Sequence, residues 1–340
     1  MTFTPNSPEF VPHPWMRNPH IMTIAPALLP RRWDSAFQQA GESRLFQVEP
    51  GTSVLAHCHW QPERKKQPTV MVLHGLEGSA ESAHVMAIAQ KSFASGMNAI
   101  RLNLRNCGGT MALTRTLYNA GLSKDLIKVV RELRAEGFAE IFAAGFSLGG
   151  NIVLKSAGEL GAEGSELLAG AAAISPAIDL DLAVQAIERP PNRIYELWFL
   201  RTLKEKIKQK SRLFPGAFDL SLLPSVSTLR KFDDVYTAPD GGYGNAQNYY
   251  FQASALRVID RIQIPTLIIA SQDDPLVPFA MFDQPALRNP HLQLLTAKYG
   301  GHAGFVQRYK GETPVSDRFW AENQVVAFCQ DIVGIRHKQQ

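Results

Sequence analysis

FAAGFSLGGN, Phe142 to Asn151, sets one hydroxyl between glycines at the point where an apolar run breaks off. The run itself, IFAAGF from Ile141, is short and continuous, the pattern of a strand covered on both faces. The next residues, GNIVLKSAGEL, have the periodicity of a helix. Ser147 therefore stands at a strand-to-helix turn. In an open parallel sheet, ligands bind beyond the carboxyl ends of the strands, so this serine lies where a site is expected.

Comparable runs recur along the chain. TVMVLH, NAIRLNL, LAGAAAIS, TLIIAS and LQLLTA are separated by helical patterns such as SAHVMAIAQKSFAS, LSKDLIKVVRELRAEG and, at the end, SDRFWAENQVVAFCQDIVG. This alternation implies the α/β class, with a mostly parallel, doubly wound sheet. Ahead of it, RLFQVEPGTSVLAHCHW alternates across a Pro-Gly break and predicts a β-hairpin. Two segments depart from the alternation. Residues 1–44 carry Pro5, Pro8, Pro12, Pro14, Pro19, Pro26 and Pro30 and are expected to form a mostly extended arm lying on a body of residues 45–340. Residues 179–244 have helical stretches without a core strand, as expected of a lid inserted over one end of the sheet.

Composition narrows the class of function. The 340 residues carry a dispersed net charge of +4, which gives no reason to expect a nucleic-acid partner. No apolar run approaches the ~20 residues of a membrane span, and MTFTPNSPEFVPHPW lacks the marks of a secretory signal, so a cytoplasmic location is expected. Cys58, Cys107 and Cys329 are odd in number and widely spaced, as expected of reduced thiols that pack.

Gly145-Phe146-Ser147-Leu148-Gly149 matches G-x-S-x-G, a nucleophile elbow whose glycines permit a strained turn that lifts the hydroxyl out. A serine hydroxyl needs a general base, and that base needs an orienting carboxylate. QDDPLVP comes after TLIIAS, and KYGGHAGF after LQLLTA, which places acid and histidine after the serine at the ends of core strands. His302 is the expected base. Of the adjacent carboxylates, Asp274 is preferred because it precedes Pro278 by four residues, with Asp273 as the alternative. Asp179, after LAGAAAIS, is a third and weaker candidate. Acyl transfer also needs oxyanion donors, expected to be the backbone N–H groups of Leu148 and of Leu76 in LHGLEGS. His74 is then structural, and Glu77 is expected to be a solvated charge, with holding the loop or contacting substrate as the alternatives. In the lid, Trp198 and Phe199 of IYELWFL are expected to line an acyl pocket, and the lysines further along to solvate their helix.

HGLEGS, NLRNCGG, GFSLGGN, YYFQAS, DDPLVP and GGHAGF occur in this order, with NPHIMTIAPALL ahead of them. On these motifs the chain resembles the YheT-like branch of the α/β-hydrolases, whose relatives include eukaryotic acylglycerol lipases and phospholipases. The resemblance runs from about Asn18 to the final helix. It implies a serine esterase with Ser147 as nucleophile, Asp274 as acid, His302 as base and a helical lid, acting on a small-molecule ester, lipid-like esters included. The amino-terminal membrane anchor of the eukaryotic relatives is not seen, and no histidine begins the H-x-x-x-x-D signature of acyltransferases in the group. The same acyl-enzyme could serve an acyltransferase or a thioesterase. A third reading, a non-catalytic binding protein on this scaffold, would be marked by loss of a triad member, and none is missing. HCHW, His57 to Trp60, lacks a third ligand for a metal, and RNCGGT, Arg105 to Thr110, lacks the lysine of a phosphate loop, so neither metal nor cofactor is expected.

Overall fold

Five strands, mostly apolar in sequence, are buried at every residue: β3 (Thr69–Leu73), β4 (Asn98–Leu102), β5 (Ile141–Phe146), β6 (Gly170–Ile174) and β7 (Thr266–Ser271). The structure, a computed structural model, describes residues 9–308 and 316–339, with side chains to residue 334. β1 (Gly41–Glu49) and β2 (Thr52–His59) form the hairpin around Pro50-Gly51 on one edge, and β8 (Leu292–Ala297) closes the other. Strand order is β1-β2-β4-β3-β5-β6-β7-β8. Pairing is antiparallel at β1/β2 and β2/β4 and parallel from β4 onward.

Alternate residues of each strand feed two cores. Met71 and Leu73 of β3 pack with Leu126 and Val130 of α4 (Ser123–Ala135) and Ile152 of α5 (Leu148–Leu160). Val70 and Val72 face the other way, to Val85 and Ile88 of α3 (Ala83–Ala94) and Val325 of α9 (Trp320–Gln339). Helices on both faces make the doubly wound α/β architecture expected from the alternation. β3 lies between β4 and β5, so the winding reverses there, and the pairing of Leu73 with Gly145 sets the turns after β3 and β5 side by side.

Among the described residues no strand lies between β6 and β7. That stretch holds α6 (Leu180–Ile187), α7 (Arg193–Leu213) and α8 (Ala246–Ala253), with short helical turns to Arg261. The amino-terminal segment differs from expectation. Instead of a mostly extended arm it forms α1 (Pro19–Leu28) and α2 (Ser35–Gln39), and the sheet starts at Gly41. The prolines mislead because position matters: Pro19 is the first residue of α1, where a missing N–H costs nothing, and Asn18 caps that end by accepting from His20 and Ile21.

Candidate active site

The turn after β5 is held by backbone packed against backbone. Ser147 sits at φ 52° and ψ −117°, a conformation costly for any residue with a Cβ. Its N–H donates to Ile174 O at 2.9 Å, and its carbonyl accepts from Asn151 at the start of α5. A Cβ on Gly149 would collide with His74 O, and one on Gly145 with Gly149 O; one on Gly75 would lie 3.2 Å from the Ser147 Cβ. Glycine is therefore required where the elbow meets the turn after β3. The N–H groups of Leu148, first residue of α5, and of Leu76 make no hydrogen bond within the described chain.

That second turn is fixed by buried polar groups. His74 Nε2 accepts from Leu104 N–H at 3.1 Å, which leaves the proton on Nδ1 to donate to Gly75 O at 2.8 Å. Burial lowers its pKa to about 4, so the ring stays neutral, a loop brace as expected. Glu77 is corrected: it is a buried anchor. Its carboxylate accepts from Tyr118 OH and from Lys206 Nζ of α7, each at 2.7 Å, while its own N–H donates to Tyr118 OH at 2.9 Å. Burial pushes the Tyr118 phenol well up, so it keeps its proton to donate. The reading of the α7 lysines is corrected for Lys206 and for Lys210, which is also buried and donates to Asn106 Oδ1 at 2.9 Å, while Lys208 remains exposed.

The two aspartates after β7 have different partners. Asp274 Oδ1 accepts from Leu276 and Val277 N–H at 2.9 Å each, and Oδ2 lies 2.9 Å from His302 Nδ1. Asp273 turns away, its Oδ1 accepting from Gly300 and Gly301 N–H and so shaping the loop that carries His302. Asp179 caps α6 by accepting from Leu182 N–H. The histidine loop is tied to the elbow through Ser175, whose Oγ accepts from Ala303 N–H at 3.2 Å one residue beyond Ile174. Ser147 Oγ makes no hydrogen bond to another described residue.

Residues 68–309 match the family described as alpha/beta hydrolase fold. The chain belongs to that family. It falls in the YheT-like branch: YheT of Escherichia coli (strain K12) is 31% identical over 327 residues, which cover 94% of this chain and 92% of that one. Phospholipase ABHD3 of Mus musculus is 30% identical over 244 residues, 71% of this chain and 59% of that one. Among solved structures, the esterase Pf2001 of Pyrococcus furiosus matches with TM-score 0.55 at 15% identity, covering 89% of this chain and 97% of that one, a likeness of fold.

In this α/β hydrolase a cavity of about 90 Å³ opens on Ser147. Leu180, Val184 and Ile187 of α6 and Leu203 of α7 line it, with Asp233 and Tyr250 on its polar side. The expected placement of Trp198 and Phe199 is corrected: neither lines this cavity. The buried stripe of α7 runs through Glu196, Leu200, Leu203 and Ile207; Phe199 is only partly buried against the core, and Trp198 falls on the opposite face, 53% exposed. HCHW is structural, His59 being buried and stacked on Phe37 with centroids 3.8 Å apart. Among the described residues no group of three or more His, Cys, Asp or Glu could hold a metal.

Two residues of α1 escape the sequence reading. Thr23 Oγ1 accepts from His302 N–H at 2.8 Å and donates to Pro19 O at 2.7 Å. His20 Nδ1 lies 3.0 Å from Tyr195 OH near the start of α7. Gly301 and Gly304 lie so close beneath α1 that side chains there would strike Met22. Within NPHIMT the asparagine caps α1, the histidine meets Tyr195 of α7 and the threonine holds the His302 loop.

Proposed function

We propose that the protein cleaves carboxylic esters through an acyl-enzyme on Ser147. Membership of the α/β hydrolases, among esterases and lipases, makes the chain a carboxylic-ester hydrolase; the division of labour among its residues is what we add. His302 Nε2 takes the Ser147 proton as Oγ attacks the ester carbonyl, and Asp274 holds Nδ1–H so that the other nitrogen is free to accept. The Leu76 and Leu148 N–H groups receive the oxyanion, with Leu148 adding the positive end of the α5 dipole. The same histidine then protonates the departing alkoxide and draws a proton from water to release the acid. Leu180, Val184, Ile187 and Leu203 take the acyl chain, at ~25 cal/mol per Å² of apolar surface buried.

The observation that carries this reading is the Asp274–His302 pair, bonded at 2.9 Å and stitched through Ser175 to the elbow. The experiment is Ser147→Ala with a fluorophosphonate probe and an ester assay. Labelling should vanish and kcat fall by about 10⁶, in a protein that melts like the wild type. Labelling that persists in the variant would remove Ser147 from the role.

A further inference from the structure

Two helices beside the site show apolar side chains to solvent. In the turn before α1 Trp15 is 83% exposed, and at the end of α1 Leu28 is 80% exposed, with Ile21 and Ile24 exposed between them. On α7, Ile194 is 66% exposed and shares the outer face with Leu197 and Trp198, the side opposite Leu200 and Leu203. Over its first two turns α7 thus carries apolar groups on both sides, with the paired Arg193 and Glu196 among them, and Arg201, Lys204, Glu205 and Lys208 follow further along. The helices that carry the two rows touch where the His20 and Tyr195 rings stack, 5.8 Å between centroids.

The exposed charges along these rows are mostly basic, with Glu205 of α7 an exposed acid among them. Residues 10–33 contain no aspartate or glutamate. Arg17 in the turn before α1 is exposed, as are Arg189 ahead of α7 and Arg201 on that helix. The acid within the first two turns of α7, Glu196, is fully buried and bonded to Arg193 at 2.5 Å. An apolar surface with an excess of exposed arginines fits an interface of acyl chains and anionic head groups, the first taking the Trp, Ile and Leu side chains and the second the guanidinium groups. A second copy of the chain fits less well, because a two-fold contact sets the same patch against itself and arginine against arginine.

We propose that α1 and the outer face of α7 form one docking surface that seats the protein on an anionic lipid surface. The proposal deepens the esterase reading, and rests on it only in naming a lipid layer as the source of the ester. The helix that touches the lipid is also the one that lends Leu203 to the cavity, and α1 is also the helix that holds the His302 loop, so the docked face lies beside the site.

The test is vesicle flotation of the full chain carrying Ser147→Ala, which separates binding from turnover. Vesicles of phosphatidylcholine with phosphatidylglycerol should float the protein, phosphatidylcholine alone should do so weakly, and raising salt toward 1 M, where the Debye length falls to about 3 Å, should loosen the anionic binding. Trp15→Ser with Leu28→Gln, and separately Ile194→Gln with Leu197→Gln, should each weaken partitioning by about ten-fold or more at unchanged melting temperature. In the Ser147 background both pairs should turn over a short soluble ester at the wild-type rate. Failure of the parent to float with anionic vesicles, or equal flotation of parent and variants, would overturn the docking surface and leave the Ser147 assignment standing. A dimer in sedimentation velocity that dissociates on the same substitutions would identify the patch as a self-interface and overturn it as well.

Discussion

The edge of the sheet and the helical cover beside it are built by opposite rules. At the edge, backbone meets backbone: Gly145 and Gly149 leave no room for a side chain, Gly75 lies close against Ser147, and Ser147 is kept in a strained conformation by its neighbours. In the cover, side chain meets side chain, and α7 gives one face to the cavity and core and the other to solvent. Rigid backbone suits chemistry, which needs atoms held within a fraction of an ångström, whereas interchangeable apolar groups suit selectivity, which is a matter of volume.

The strongest way to break this division is at the acid. Asp274→Asn should lower kcat by about 10⁴, since the histidine loses the group that fixes its tautomer, while Asp273→Asn keeps an oxygen for Gly300 and Gly301 and should stay within about ten-fold of wild type. Steady-state kinetics of the pair decides, and the reverse ranking transfers the role to Asp273. Next comes Thr23→Val, which keeps shape and removes the acceptor of the His302 N–H. A fall in kcat of about ten-fold, restored by Thr23→Ser, is expected from an unpaired buried donor. Wild-type kcat in the valine variant would mean that the sheet edge holds the base unaided.

In the cover, Leu203→Ala should move the preferred acyl length and cost about ten-fold in kcat/KM on the best ester, whereas Trp198→Ala should leave the chain-length profile unchanged. A shifted profile in the tryptophan variant would return that residue to the pocket. The smallest effect is on stability. Asp233, on the cavity wall, accepts from Tyr250 OH at 2.7 Å, and burial pushes its carboxyl up to about 6. Against an unfolded value of ~3.9, the folded state binds the extra proton, so ionisation opposes folding and stability falls as pH rises from about 4 through about 6. Asp233→Asn should therefore be the more stable protein above that window, by on the order of 2 kcal/mol, and equal to wild type below it. Melting temperatures across pH check this; a constant offset at every pH would assign the effect to packing.

Legibility in the sequence divides along the same line. The strand-to-helix turn at Ser147 and the buried strands are legible because each is written in a few adjacent residues. Glu77 is not, because the cation that buries it, Lys206, lies 129 positions away on another element. Trp198 reads as a pocket residue because an aromatic in a helix announces burial, but the direction of a helix face is settled by the stripe that packs, here Leu200, Leu203 and Ile207. Thr23 is out of reach for the plainest reason, since its partner stands 279 residues later.

That last contact bears on how the chain comes into being. His302 is braced by Thr23, His13 N–H donates to Val306 O, and Arg308 N–H donates to Val11 O, so a segment that leaves the ribosome early is also a clasp for the last loop of the site. At ~5–20 residues per second, α1 waits on the order of half a minute for its partner to be made. A nascent chain short of residue 302 holds the Ser147 turn without the His302 loop, and the candidate site is complete only when these two distant segments have met.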